Sequence, residues 1–312
     1  MAAYRILSLD GGGIRGVLTA SILERLEKAQ PGFMAKFDLL AGTSTGGILA
    51  LAMASGYTPT EARLLYEELG AQIFKDSRWD NLFDINIPGL GPLRGAQYTN
   101  VPLKTALENK FGSLKLKDLD KKVLIASFDL DNESKDPAKP RSWKPKFFHN
   151  YPGPDSDGEQ LVVDVALYTS AAPTFFPVYH GYIDGGVIAN NPSLCALAQA
   201  MSEGGANQPL RSITLLSVGT GYNPQYLEGR DEDWGLIQWA PHLVSLMLEG
   251  SQGTAEYQCR QILGRRFLRI NPVLPVPIGL DGLSQVEMMK QIAYQSEISG
   301  AETWVNRYFR AA

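Results

Sequence analysis

The chain has 312 residues, close to the upper limit for a single hydrophobic core; at about 150 residues per domain it allows two domains or one large one. With 44% hydrophobic and 20% charged residues it has ample apolar material for a core, which excludes global disorder. Its 29 Lys and Arg against 33 Asp and Glu leave a formal net charge of −4, with no basic excess for a phosphate backbone, so nucleic acid is not an expected partner.

Residues 4–9 read as a short strand ending in Asp10-Gly11-Gly12-Gly13-Ile14-Arg15-Gly16. Val17, Leu18, Ile22, Leu23 and Leu26 then recur at helical spacing as far as Gln30, where Pro31-Gly32 stops the helix. A second apolar run, Phe37 to Ala41, meets Gly42-Thr43-Ser44-Thr45-Gly46-Gly47 and passes into a helix rich in Ala, Leu and Met. Thr58-Pro59-Thr60-Glu61 opens another helix: Thr58 caps it, Pro59 suits the first helical position and Glu61 completes a capping box. This alternation predicts a parallel sheet covered on both faces. Strands over 123–129, 178–184 and 213–218 follow, with helices over 161–170, after Asn191-Pro192, and through most of 284–309. Two irregular stretches, 79–100 and 129–145, read as functional loops. No repeat and no linker composition interrupts the chain, which predicts one elaborated domain.

Cys195 and Cys259 are too few for a disulfide framework or a thiolate cage and read as small buried hydrophobes. His149, His180 and His242 lie far apart with no H-x-x-x-H spacing, so neither a metal nor a cofactor is expected. The N-terminus lacks a charged region followed by an apolar segment, and the longest apolar stretch, 48–54, is far short of the roughly 20 residues that span a bilayer. A soluble, cytoplasmic protein is expected.

Gly42-Thr43-Ser44-Thr45-Gly46 is a G-x-S-x-G sequence at a strand-to-helix junction, where small neighbours let a serine oxygen project above a sheet. The run 11–13 also follows a strand and opens a helix, exposing backbone N–H groups suited to an anion. One reading makes it an oxyanion hole. The other takes Gly11-x-Gly13-x-x-Gly16, with Asp38 about 20 residues on, as the dinucleotide fingerprint of a nucleotide-binding oxidoreductase. Ser44, Asp184 and His242 follow the Ser…Asp…His order of an α/β-hydrolase triad esterase. Yet this serine strand comes early in the chain, and His242 reads as structural. Asp184, followed by Gly185-Gly186, ends a strand; in a parallel sheet that end shares the serine's side.

Asp10-Gly11-Gly12-Gly13-Ile14-Arg15-Gly16, Gly42-Thr43-Ser44-Thr45-Gly46 and Asp184-Gly185-Gly186, in that order, resemble the three signatures of the patatin-like phospholipases. That family includes plant storage acyl hydrolases, calcium-independent phospholipases and bacterial relatives. Tyr168 to Phe176 and Asn190-Asn191-Pro192 add to the resemblance, which spans residues 4–220. It implies an α/β fold in three layers: one domain over 1–312, a mostly parallel central sheet flanked by helices, and a C-terminal helical elaboration over 221–312. It implies lipid acyl hydrolysis (phospholipase A, lysophospholipase or carboxylesterase) by a Ser44–Asp184 dyad through an acyl-enzyme, with no histidine. Gly11, Gly12 and Gly13 would form the oxyanion hole. Arg15 would support that loop or bind the substrate, the alternative being a surface salt bridge.

The implied partner is a phospholipid or other acyl-ester lipid, met by transient contact with a membrane surface. Leu82, Phe83, Ile85, Ile87 and Leu90, or the apolar run 273–280, could dip into lipid or line an acyl channel; core packing competes with both. Trp234 and Trp239 read as core. Some bacterial relatives are defence effectors switched on by cyclic nucleotides, so a small-molecule activator is carried as an expectation, although no residue identifies its site.

Overall fold

A computed structural model describes residues 3–73, 86–87, 91–92, 95–228 and 233–309. Its strands are β1 (Tyr4–Leu9), β2 (Leu39–Thr43), β3 (Asn86–Ile87), β4 (Gly91–Pro92), β5 (Lys122–Asp129), β6 (Lys144–His149), β7 (Tyr182–Asp184), β8 (Ile213–Val218) and β9 (Phe267–Ile270). The helices are α1 (Gly16–Ala29), α2 (Thr45–Ala54), α3 (Pro59–Ile73), α4 (Val101–Phe111), α5 (Val162–Ser170), α6 (Gly186–Ala189), α7 (Ser193–Met201), α8 (Leu236–Leu263), α9 (Val286–Gln295) and α10 (Ser299–Tyr308).

Among the described residues, seven strands make one sheet in the order β6-β5-β2-β1-β8-β9, with β7 also on β5. The path from β5 to β9 is parallel throughout; β6 and β7 run antiparallel to β5. Strands β2 and β8 are buried at every position rather than alternately, as expected when helices cover both faces. Against one face pack α1 to α5, α9 and α10, building the larger core around Leu7, Ile22, Leu51, Ile125 and Leu167. Against the other, α7 and α8 build a smaller one with Ile6, Ala41, Leu215 and Cys259. The architecture is the expected α/β sandwich of three layers.

Local chemistry explains the element starts. At α3, the Thr58 backbone N–H donates to Glu61 Oε2 at 2.8 Å and the Glu61 N–H donates to Thr58 Oγ1 at 3.2 Å, a reciprocal capping box. Elsewhere the expectations need correcting. Residues 178–181 are not strand, and 129–145 is not loop throughout: Asp129 ends β5, Lys144 and Pro145 begin β6, and the turn between them is tied by the Arg141–Asp131 pair. The segment 221–309 is more than a helical elaboration, because β9 joins the sheet beside β8. Leu82, Phe83, Ile85 and Leu90 lie outside the described residues. In the run 273–280, Leu274 and Ile278 are buried while Val273 and Val276 are exposed. Trp239 is 41% exposed, packed edge-on against Trp234, so it is not core.

Candidate active site

Strand β2 stops at Thr43, α2 begins at Thr45, and Ser44 between them has φ 53° and ψ −124°. That backbone region is costly for a side chain with a Cβ, so the surroundings must hold it. They do so by hydrogen bonding: the Ser44 N–H donates to Thr169 Oγ1 at 2.8 Å, and the Thr169 hydroxyl donates to the Ala126 carbonyl at 2.5 Å. Gly46 makes the turn sterically feasible. A Cβ there would lie 2.2 Å from the Leu9 carbonyl oxygen, so only glycine lets α2 start this close to the end of β1. Ser44 is half-buried at the positive end of α2, whose first-turn N–H groups have no partner within the helix.

The second side chain arrives by an antiparallel route. Thr43 pairs with Ala126 on β5, and Asp184 pairs with the next β5 residue, Ser127. Strand β7 therefore takes over the flank of β5 that β2 vacates when it turns off at Ser44. The two strand ends meet head to head, so that Ser44 and Asp184 line one cavity and the Ser44 hydroxyl stands near enough to the Asp184 carboxylate to favour its charged form. Asp184 is only 4% exposed. Burial raises its pKa from 3.8 to about 6, with the Ser44 hydroxyl and the Gly186 N–H, the latter 2.7 Å from Oδ1, pulling the other way.

The glycine loop lies beside this pair. The Gly11 N–H donates to the Asn190 carbonyl at 3.0 Å and is unavailable to a ligand. The N–H groups of Gly12 and Gly13 have no partner among the described residues, and both glycines line the cavity that holds Ser44 and Asp184. Gly13 has φ +59°, and a Cβ on it would meet the Leu280 carbonyl oxygen at 2.1 Å. The loop carbonyls are all held: Gly11 by Thr220 Oγ1 at 2.9 Å, Gly12 by Arg15 Nε at 3.3 Å, and Gly13 by Thr45 Oγ1 at 2.6 Å and Tyr66 OH at 2.8 Å.

Arg15 is thus neither a surface salt bridge nor a cavity residue. It is 4% exposed, absent from the cavity wall and directed at the Gly12 carbonyl, with its Nη1 unpartnered among the described residues. Burial lowers its pKa, while Glu249 and Asp10 act in the opposite sense.

The cavity, about 220 Å³, is apolar beyond this polar end: Ile48, Leu69, Leu103, Phe176, Val244 and Leu248 are among its walls. His242 is not among them; its ring stacks on Trp234 at 5.9 Å, and no histidine lines the cavity that holds Ser44 and Asp184 among the described residues. Asp38 precedes β2, at the opposite end of the sheet from the glycine loop, where its Oδ2 accepts the Arg5 N–H at 2.7 Å. It cannot serve a ribose at that loop. The thiols are inert for a similar reason: burial pushes Cys195 up to about 11 and Cys259 up to about 12. Sequence reasoning missed Thr169, Thr220, Tyr66 and Leu280. Thr169 stood within the noted stretch Tyr168 to Phe176 and Leu280 ended the noted apolar run 273–280, but nothing there revealed the bond of Thr169 to Ser44 or of Leu280 to the glycine loop.

Fold and site together define an α/β protein that presents a serine on a strand–turn–helix elbow beside a buried carboxylate. A sequence profile described as Patatin-like phospholipase matches residues 7–197. The chain is 34% identical over 302 residues to CotR of Bacillus subtilis (strain 168), covering 88% of this chain and 89% of that one. It is 30% identical to a cGAMP-activated phospholipase of Pseudomonas aeruginosa, covering 86% of this chain and 78% of that protein. A calcium-independent phospholipase A2 of Rattus norvegicus is 27% identical, covering 94% of this chain but 38% of its own length. The chain belongs to the patatin-like phospholipase family.

Proposed function

We propose that this protein hydrolyses fatty-acyl esters of lipids with a Ser44–Asp184 dyad. The observation that carries the reading is that Ser44 shares one cavity with a buried carboxylate whose pKa burial has raised to about 6, next to two glycine N–H groups that have no partner among the described residues. A base poised near neutrality accepts a hydroxyl proton far more readily than an ordinary aspartate does. As Ser44 Oγ bonds to the ester carbon, its proton passes to Asp184 and the carbonyl electron pair becomes an oxyanion facing Gly12 and Gly13 N–H. Collapse expels the alcohol, which takes the proton from Asp184. Water then repeats the sequence on the acyl-enzyme and releases the fatty acid.

The apolar walls suit the acyl chain. At the rim, α8 exposes Trp239, Leu243, Leu246 and Met247 at helical spacing, and Met247 also lines the cavity. This ridge supports transient contact with a lipid surface. Among the described residues no helix is long and apolar enough to cross a membrane. The relatives named as cGAMP-activated bring a small-molecule activator into the proposal, tested by adding cyclic dinucleotides to the assay.

Ser44→Ala and Asp184→Asn are each expected to cut hydrolysis of a short-chain nitrophenyl ester by about 10²–10⁴-fold, while His242→Ala retains most of it. Full activity in either dyad variant, or loss only in the histidine variant, overturns the assignment. A phospholipid panel read by mass spectrometry identifies the ester cut.

A further inference from the structure

Asp10, the first residue of the glycine motif, is fully buried, and its partner comes from far along the chain. The Arg269 side chain, from β9, is 4% exposed and grips the carboxylate with both terminal nitrogens: Nη1 reaches Oδ1 at 2.8 Å and Nη2 reaches Oδ2 at 2.5 Å. Its Nη1 also donates to Ser217 Oγ on β8 at 2.8 Å. The Asp10 N–H in turn donates to the Val218 carbonyl at 3.2 Å. Two residues further on, the loop presents the unpaired Gly12 and Gly13 N–H groups. Past them, the Ile14 N–H donates to the Leu280 carbonyl at 2.7 Å, in the segment that follows β9.

We propose that Arg269 is a positioning residue for the reaction: through Asp10 it sets the direction in which Gly12 and Gly13 offer their N–H groups to the oxyanion. The proposal rests on the acyl-hydrolase reading above and extends it to a residue outside the 7–197 match. A planar, two-pronged guanidinium fixes both the position and the plane of a carboxylate, which one ammonium cannot do. Fixing that plane also fixes the start of the loop. The chain from β9 onward then belongs to the catalytic machinery by way of the backbone, since Arg269 touches no cavity atom. An oxyanion hole works because its donors are already aimed before charge develops, and an error of about 1 Å in such placement costs about 100-fold in rate.

The test compares Arg269→Gln and Arg269→Lys with the wild type and with Arg63→Gln. The last breaks the Arg63–Glu24 pair between α3 and α1, neither residue of which bonds to the glycine loop among the described residues, and serves as a stability control. Each is assayed for kcat, KM and inhibition by a trifluoromethyl ketone. As the Ser44 oxygen adds to that probe's carbonyl carbon, the hydroxyl proton passes from Ser44 to Asp184 and the carbonyl electron pair becomes an oxyanion at the glycines. Arg269→Gln is expected to lower kcat about 100-fold with KM nearly unchanged, and to weaken the ketone by the same factor as kcat/KM. Arg269→Lys, which keeps the charge, falls between it and the wild type. Arg63→Gln lowers thermal stability but moves neither kcat nor ketone affinity. A kcat for the Arg269 variants within about threefold of wild type overturns the proposal, as does a loss that tracks the unfolded fraction while ketone affinity per folded molecule holds. If Arg269→Gln does not fold, Arg269→Lys decides on the same readouts. A wild type that neither hydrolyses esters nor reacts with the ketone at Ser44 sinks the hydrolase reading instead, and is recognised before any variant is made.

Discussion

Asp184 carries opposite consequences for activity and for stability. In the proposed reaction its carboxyl must be ionised to accept the Ser44 proton, and its pKa stands at about 6. The kcat/KM profile is therefore expected to fall on the acid side with a midpoint near pH 6, measured on a soluble ester; a midpoint near the ordinary aspartate value would show that the pocket is wet. Stability runs the other way. Between the ordinary value of 3.8 and about 6 the folded protein holds a proton that the unfolded chain has lost, so stability falls as pH rises through this window. Above it, at about 1.4 kcal/mol per pKa unit, the penalty reaches about 3 kcal/mol. Asp184→Asn should remove that penalty, giving a higher denaturation midpoint than wild type at pH 7.5 and a similar one near pH 4. Ser44, Asp184 and the glycines stood out in the sequence because their neighbours are small and clustered. That Gly11 is spent on Asn190, and that Arg15 is buried behind the loop, did not, since both depend on what lies opposite.

Elements were legible where their signals were local. The α3 start is one case, and Thr58→Ala should cost about 1 kcal/mol in thermal denaturation while leaving kcat unchanged, because the cap is exposed and distant from the cavity. Greater loss, or a change in kcat, would mean that the α3 entry shapes the cavity. Strand β7 shows the limit of local signals. Three residues carry no direction, and only pairing with Ser127 to Asp129 makes it antiparallel and sets Asp184 opposite Ser44. The 28-residue α8 lay inside the expected helical elaboration, but its bounds were not legible. Pro241, Gly250 and Gly253 punctuate it, residues that read as breaks in sequence but are tolerated where one helix face packs on the sheet.

At the scale of the whole molecule, late segments complete what early ones begin. Thr220, Arg269 and Leu280 all bear on the loop at 10–14, and α9 and α10 contribute to the larger core through Met289, Ala293, Trp304 and Val305. Truncation after Leu263 should accordingly abolish both ester hydrolysis and cooperative unfolding; an active, cooperatively folding fragment would make the C-terminal third an appendage. The proposed nucleophile, base and oxyanion donors all come from the chain itself, so EDTA in the assay is expected to leave turnover unchanged. Strict calcium dependence would contradict the proposed chemistry.

By itself the sequence determined the α/β alternation, the serine elbow and the glycine run, because each is written in neighbouring residues and in steric demands a few positions long; Asp184 as the proposed partner carboxylate came from the ordered motifs of the family resemblance. Tertiary structure alone decided how Asp184 comes to face Ser44, which two glycine N–H groups stay free, and that Arg269 holds the loop from β9. Those outcomes depend on burial and on hydrogen-bond partners hundreds of residues away, such as Thr220 on Gly11 and Arg269 on Asp10, which no local pattern encodes.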